Sequence, residues 1–127
     1  MFSASGSRVP RTPVCFWELC HRFNALRLYD RAARRELQRI IFDENAPDPA
    51  NNQPTGTRSQ FIHFKEWNGR LVAMAHHYAR PDRATPEDPK RLIAGGYDLV
   101  PAHAGHDTCP DCAYWEPLAR RSRRVVR

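Results

Sequence analysis

The stretch FIHFKEW, residues 61–67, followed by Asn68-Gly69 and by RLVAMAHHY, residues 70–78, decides the fold. Asn-Gly is the dipeptide favoured in the two-residue type I′ turn of a β-hairpin. Apolar and polar residues alternate on both sides of this turn, as they do on strands that bury one face. The stretch therefore predicts an antiparallel hairpin over residues 59–79.

The turn also determines which side chains share a face, because Trp67 then pairs with Arg70 and the pairing continues outward. One face is apolar and is expected to contact a helix; it holds Ile62, Phe64, Leu71, Ala73 and Ala75. The other face is mixed; it holds Phe61, His63, Lys65, Trp67, Val72, Met74, His76 and Tyr78. Aromatic and basic groups on a sheet can stack on bases and hold phosphates. Ordinary cross-strand packing, with partly buried histidines, is the alternative.

Upstream of the hairpin, the segment from Asp30 to Glu44 predicts a helix. Asp30 is a good N-cap residue. Apolar residues recur at helical spacing along one stripe, namely Ala33, Leu37, Ile40 and Ile41. The prolines at 47 and 49 end this helix because proline cannot continue it, and a polar loop over residues 45–58 follows.

The first residues after the N-terminus allow two interpretations. Thr12-Pro13 predicts a helix start, with threonine as the N-cap and proline at the first helical position. Residues 14–17 could equally open a short strand, because periodicity does not separate the two in so short a run.

Downstream, Arg91–Ala94, Gly95-Gly96 and Tyr97–Val100 predict a second, shorter hairpin. The predicted fold class is therefore α+β: one or two N-terminal helices packed on an antiparallel sheet of two hairpins, with a Cys/His-rich C-terminal segment. The length of 127 residues fits one domain. We expect residues 1–12 to form a flexible arm, residues 13–113 the α+β domain and residues 114–127 a basic tail.

The composition indicates a polyanionic partner. The chain has 20 basic and 14 acidic residues, a net charge of +6, and all but two of the basic residues are arginines. The guanidinium group suits phosphate binding and stacking on bases. The sequence has no run of 18 apolar residues and no apolar segment near the N-terminus, so it predicts neither a membrane span nor a secretory signal. We therefore expect a cytoplasmic location.

Four soft metal ligands lie within ten residues near the C-terminus: His103, His106, Cys109 and Cys112. Two thiolates with Cys-x₂-Cys spacing can bind one metal from the same turn, and Zn²⁺ takes four thiolate or imidazole ligands. A structural zinc is therefore predicted, with Cys109 and Cys112 as ligands and the two histidines as optional ones.

Three successive three-residue steps leave little chain for reaching all corners of a tetrahedron, so a second half of the site is expected elsewhere. The candidates are Cys20 with His21, or Cys15 with Cys20. Alternatively, one of His103 and His106 joins the two cysteines together with a water, which leaves an open site. A site with its second half elsewhere would hold the C-terminal segment against the domain. The motif is similar to the Cys-Pro-x-Cys knuckles of zinc ribbons, over these four residues alone. A redox dithiol and thiols without metal are the alternatives.

Together these features predict a small basic nucleic-acid-binding protein that a structural zinc stabilises. The expected nucleic-acid contacts are Lys65, Trp67 and Arg70 on the hairpin and Arg120, Arg121, Arg123 and Arg124 in the tail. A module that binds another protein is an alternative.

An enzyme is the other alternative. The order of elements, a strand or helix, then a helix, a loop and antiparallel strands, is similar to that of RelE-type endoribonuclease toxins over residues 14–100. The resemblance implies RNA cleavage on the sheet. It assigns acid–base and charge-stabilising roles to His63, Lys65, His76, Tyr78 and Arg80. The cysteine-rich C-terminal extension departs from the pattern of those toxins.

Overall fold

A computed structural model describes residues 9–45 and 53–123 of the chain. The elements in chain order are β1 (Arg11–Val14), α1 (Phe16–Ala25), α2 (Leu28–Ala33), β2 (Gln38–Asn45), β3 (Arg58–Lys65), β4 (Leu71–Ala79), β5 (Asp88–Ala94), β6 (Tyr97–Pro101) and α3 (Cys112–Ser122). The α+β class predicted from the sequence is confirmed.

The sheet has six strands in the order β1-β6-β5-β4-β3-β2. The two predicted hairpins, β3–β4 and β5–β6, form its centre and pair antiparallel with each other through β4 and β5. β2 adds antiparallel to β3 at one edge, and β1 adds parallel to β6 at the other. The prediction of an antiparallel sheet limited to two hairpins was therefore incomplete, since the sheet is mixed and two strands wider.

The helix predicted from Asp30 to Glu44 is wrong. Helix α2 ends at Ala33, Arg35 adopts a left-handed backbone with φ of 63°, and the chain then enters β2. Ile40, Ile41 and Phe42 favour strands, and this segment pairs with the whole of β3. The pairing of β2 with β3 of the central hairpin outweighs the weak helix preference that the spacing of a few apolar residues indicated.

The predicted helix start at Thr12-Pro13 is also wrong, and a strand over residues 14–17 matches the structure only at Val14, since Phe16 and Trp17 are helical. Residues 11–14 form β1, and α1 begins at Phe16. Pro13 is tolerated because β1 is an edge strand, where one side needs no donor. Arg11 and Thr12, placed in the predicted arm, thus belong to the sheet, and residues 1–8 lie outside the described residues.

The predicted face assignment of the central hairpin holds for the core. Ile62 pairs with Ala75 and Phe64 with Ala73, and all four side chains are fully buried. Phe23 of α1 and Tyr29 of α2 cover them; the ring centroids of Tyr29 and Phe64 lie 5.1 Å apart in an edge-to-face contact. The helices therefore cover this face of the sheet.

Val72 departs from the predicted face. It was expected on the mixed face but is buried in the core cluster. The pairing changes from Phe64 with Ala73 to Lys65 with Leu71, so a β-bulge inserts Val72 as the extra residue. A bulge redirects the side chain of the inserted residue, which sequence alternation alone does not reveal.

Helix α3 lies against α1 and occupies much of the predicted tail. The amide nitrogen Nδ2 of Asn24 donates to the carbonyl oxygen of Ala119 at 3.2 Å, and the Arg120 guanidinium lies 4.8 Å from the ring centroid of Trp17. None of the helices within residues 9–45 and 53–123 has the length and apolar character that crossing a membrane requires.

We predict that Asp98→Asn destabilises the protein in a pH-dependent way. The Arg91 guanidinium donates two hydrogen bonds of 2.9 and 2.8 Å to the buried Asp98 carboxylate, and these lower the pKa of Asp98 below its ordinary 3.8. The stabilisation is complete above that ordinary value and is lost as the pH falls through the lowered pKa. At pH 7 the loss should be about 1.5–3 kcal/mol, and urea denaturation between neutral pH and about pH 2 measures it.

Asp43→Asn is the matched control, because Asp43 forms an exposed ion pair with Arg58. Its loss should stay below about 1 kcal/mol. Equal losses in the two variants would contradict the assignment.

Candidate functional site

Four potential metal ligands come together at one end of the sheet: Cys15, His103, Cys109 and Cys112, here called the Cys₃His cluster. Their ligand atoms all lie within 4.8 Å of one another, which is close enough to hold one metal ion. The Sγ of Cys112 is 3.8 Å from the Sγ of Cys15, 3.8 Å from the Sγ of Cys109 and 3.7 Å from Nε2 of His103. All three cysteines are free thiols, so no disulfide competes for these atoms.

The parallel pairing of β1 with β6 builds this cluster. In its register Val14 pairs with Pro101, so Cys15 and His103 leave the same end of the sheet in neighbouring strands. Cys109 and Cys112 then enter from the loop that leads into α3, where Cys112 is the first helical residue. Three separate segments therefore meet, and the cluster joins the start of α1 to the start of α3.

The hydrogen bonds of His103 prepare it as a ligand. Its Nδ1 is 2.8 Å from the carbonyl oxygen of Ala104, which can only accept, so Nδ1 carries the proton. Nε2 then has a free lone pair and accepts a 3.3 Å hydrogen bond from the backbone N–H of Phe16. The bond to Ala104 raises the pKa of His103, and a carbonyl in this position makes the imidazole a more basic metal ligand.

The thiols of the cluster differ in acidity. Burial raises the pKa of Cys15 to about 11, against the opposing effect of backbone N–H groups. At Cys109 burial also raises the pKa, but the Asp111 backbone hydrogen bond and the neighbouring Cys15 thiol outweigh it, so the pKa is lowered. Cys109 therefore ionises more readily than Cys15, and a metal would displace the proton of Cys15 on binding.

Gly105 lets the loop between His103 and Cys109 approach α1. A Cβ atom at this position would lie 2.9 Å from Cε2 and 3.0 Å from Cζ of Phe16. The Phe16 ring is buried and cannot move aside cheaply.

We therefore predict that Gly105→Ala moves this loop away from α1 and weakens metal binding at the Cys₃His cluster about tenfold or more, the scale of support-residue changes at metal sites. Competition with a chromogenic chelator measures the affinity. Gly96→Ala is the control for backbone strain away from the cluster: Gly96 has φ of 83°, so alanine strains the β5–β6 turn, but its Cβ would meet no atom within 4 Å. The control should keep its metal affinity, and unchanged affinity in Gly105→Ala would contradict the prediction.

The other predicted ligands lie outside the cluster. Nδ1 of His21 is 3.1 Å from the Oγ of Ser122, so His21 links α1 to α3 directly. The side chain of His106 is 85% exposed. Cys20 lies on α1, five residues after Cys15, and lines a cavity instead. The structure thus brings together Cys109, Cys112 and His103 of the predicted set and completes them with Cys15.

The second candidate site is the sheet face opposite the helices. Phe42, Phe61, His63, His76 and Tyr78 form what we call the aromatic face. Phe42 pairs with Phe61 and Phe61 with His76, so one row of rings crosses three strands. Phe42 is 51% and Phe61 38% exposed, which is unusual for phenylalanine in a folded domain.

The rings of the aromatic face contact one another. The centroids of Phe42 and His63 are 4.7 Å apart, those of Phe61 and His76 4.6 Å, and those of His76 and Tyr78 4.8 Å. Nε2 of His76 also lies 2.8 Å from the Oγ of the buried Ser59. Burial lowers the pKa of His63 and of His76, so both imidazoles are held towards the neutral form.

The candidates from the enzyme resemblance are only partly together. His63, Lys65, His76 and Tyr78 lie on one face, since they follow the same alternation in β3 and β4. Arg80 instead donates from Nε to Gln53 at 2.8 Å and lines the cavity beside α1 and α2.

The predicted nucleic-acid contacts form two groups. Trp67 and Arg70 flank the β3–β4 turn close to Lys65; Trp67 is 64% exposed, and its indole N–H donates to the carbonyl oxygen of Arg35. Arg120 pairs with Glu116 on α3, where Arg121 and Arg123 are exposed. Arg124 lies outside the described residues.

Sequence reasoning missed Phe42 and Ser59 on the aromatic face. Phe42 was assigned to the predicted helix, so it could not be aligned with Phe61. The run Ile40-Ile41-Phe42, β-branched residues followed by an aromatic one, was the signal for a strand there.

Comparisons with protein-family models, with curated proteins and with solved structures found no match.

Proposed function

We propose that this protein is a nucleic-acid-binding domain that uses the aromatic face to stack on unpaired bases and is stabilised by a zinc ion in the Cys₃His cluster. The proposal of nucleic-acid binding rests on the exposed neighbouring rings of Phe42 and Phe61, on the surface of a protein with a net positive charge.

The distances in the Cys₃His cluster support zinc. Zinc–sulfur bonds of about 2.3 Å in a tetrahedron place neighbouring sulfurs about 3.8 Å apart, and a nitrogen about 3.6 Å from a sulfur. The distances from the Sγ of Cys112 to Cys15, Cys109 and His103 are 3.8, 3.8 and 3.7 Å. Three thiolates and one imidazole also form a donor set that binds zinc in preference to magnesium or calcium.

The position of the cluster supports a structural role for this zinc. Four protein ligands fill a tetrahedral site and leave no coordination position for a substrate or water. Cys15 precedes α1 and Cys112 begins α3, so the ion would fasten two helices that otherwise meet through polar contacts such as Asn24 to Ala119.

The aromatic face supports binding to single strands. Bases must be unstacked before they can lie on protein rings, as they are in single-stranded nucleic acid and not within a duplex. Lys65 lies on the same face, one alternation beyond His63, and can contact a phosphate next to a stacked base. The net charge of +6 favours the approach of any nucleic acid.

The test is the binding of fluorescent oligouridylate and of a duplex of the same length, measured by anisotropy over increasing salt. We expect the oligouridylate to bind more tightly than the duplex, with an affinity that falls linearly on logarithmic axes as salt rises. Equal affinities for both, or binding to neither, would contradict the proposal.

A further inference from the structure

A large cavity opens on the side of the molecule opposite the aromatic face. It has a volume of about 720 Å³ and lies between α1, α2, the segment of residues 80–89 and the end of α3. The partly exposed rings of Trp17 and Tyr29 line it, with the more deeply buried Phe23, Leu28 and Pro89 at its floor. Small-molecule sites in proteins have volumes of roughly 300–1,000 Å³ and are mainly apolar inside, so this cavity has the size and character of a ligand site.

The charged groups around the cavity are unbalanced. Four arginines line it, namely Arg27, Arg80, Arg83 and Arg123, against two carboxylates, Asp30 and Glu87. Oε2 of Glu87 lies 3.8 Å from Nδ1 of His77, and Arg80 donates to Gln53. Within the part of the chain that the structure describes, Arg27, Arg83 and Arg123 form no ion pair with a carboxylate. Among the residues that line the cavity, arginines therefore outnumber carboxylates by two, although Arg123 also interacts electrostatically with the nearby carboxylate of Asp88.

Arg27 occupies a backbone conformation that its side chain does not favour. It joins α1 to α2 with φ of 52° and ψ of 44°, the left-handed region. Helices usually place glycine or asparagine at such a position. Strained residues cluster at ligand sites. The strained backbone of Arg27, at the rim of this cavity, is therefore consistent with a guanidinium group that contacts a ligand.

We propose that this cavity binds a nucleoside monophosphate, a phosphate monoester of a sugar that carries a flat base. A phosphate monoester carries up to two negative charges, which match the excess of two arginines over carboxylates among the lining residues. Guanidinium groups bind phosphate oxygens in pairs of parallel hydrogen bonds. The ring lies against Phe23, Leu28 and Pro89, while Arg27, Arg83 and Arg123 hold the phosphate.

The test is isothermal titration of the full-length protein with AMP, with adenosine and with inorganic phosphate. We expect AMP to bind at least tenfold more tightly than either part alone, because only AMP uses both the floor and the arginines. AMP binding that is absent, or no tighter than that of adenosine and of phosphate, would overturn the proposal.

Two glycine substitutions separate the charge from the backbone effect. Arg27→Gly should weaken AMP binding at least tenfold without lowering the melting temperature, since glycine adopts the left-handed region freely. Arg35→Gly is the matched control: Arg35 is also exposed, also left-handed with φ of 63°, and does not line this cavity. Equal effects of the two variants on AMP affinity would overturn the proposal.

The site is independent of the aromatic face and can be separated from it experimentally. AMP affinity should be unchanged in a Phe42→Ser, Phe61→Ser double variant, whereas a loss there would place AMP on the sheet and overturn the cavity site. Failure of oligouridylate binding with AMP binding intact would reject only the nucleic-acid proposal.

Discussion

Cys112→Ser is expected to release the bound metal and to lower the melting temperature by about 15 °C. Cys112 contacts all three other ligands of the Cys₃His cluster and is buried at the start of α3. A ligand present at a thousand times its dissociation constant stabilises the folded state by about 4 kcal/mol. For a domain of this size, 1 kcal/mol corresponds to roughly 4 °C in melting temperature.

Metal content by mass spectrometry and thermal unfolding by circular dichroism check this result. Cys20→Ser is the matched control. Cys20 lies on α1, the helix that follows the ligand Cys15, but it does not belong to the Cys₃His cluster. The control should keep one zinc per chain, and a strong chelator should lower the stability of the control but leave Cys112→Ser unchanged. One zinc per chain in Cys112→Ser would reject the site.

Replacing Phe42 and Phe61 together with serine is expected to weaken oligouridylate binding at least 30-fold. Each base stacked on an aromatic side chain contributes about 1–3 kcal/mol, so two lost stacks amount to at least about 2 kcal/mol. Both rings are exposed, so the fold should remain intact in this variant.

Fluorescence anisotropy at one fixed salt concentration measures this change. Tyr114→Ser is the control, since Tyr114 is an exposed aromatic residue on α3 and not on the sheet. If the control loses as much affinity as the double variant, exposed aromatic surface in general binds the strand and the aromatic face has no special role.

The parts of the fold that the sequence predicts correctly are those that depend on local chemistry. Asn68-Gly69 marks the turn of the central hairpin, and the alternation around it places Ile62 and Phe64 in the core. The two-residue type I′ turn is wrong in detail: Asn68 does not have positive φ, and the N–H of Glu66, not of Trp67, bonds to Arg70, so the loop has three residues. The second hairpin follows from Gly95-Gly96, both of which adopt positive φ. A turn needs only the residues beside it, so one sequence is enough to find it.

The parts that the sequence predicts wrongly depend on a distant partner. The segment over residues 38–45 has both helical spacing and strand-forming residues, and its pairing with β3 decides between them. That partner is not visible in the local pattern. Val72 is a different case: its partner strand is local, but a bulge beside the turn shifts the register and turns Val72 into the core, which alternation alone does not reveal.

The candidate metal centre shows the same division. Cys109 and Cys112 are recognisable by their spacing, and His103 by its closeness to them in the chain. Cys15 is 97 residues away from Cys112 and joins the cluster only because β1 pairs in parallel with β6. That pairing is non-local, so the sequence could propose Cys15 as a counterpart but could not select it over Cys20.

The span of the Cys₃His cluster along the chain also determines when the site can form during synthesis. A growing chain that ends before Cys109 contains two of the four ligands, Cys15 and His103, and cannot enclose an ion. All six strands precede Cys109, so the whole sheet can leave the ribosome before the site is complete. An ion could therefore be enclosed only after Cys109 and Cys112 have been added, and a chain interrupted earlier could not link the start of α1 to the start of α3 through the Cys₃His cluster.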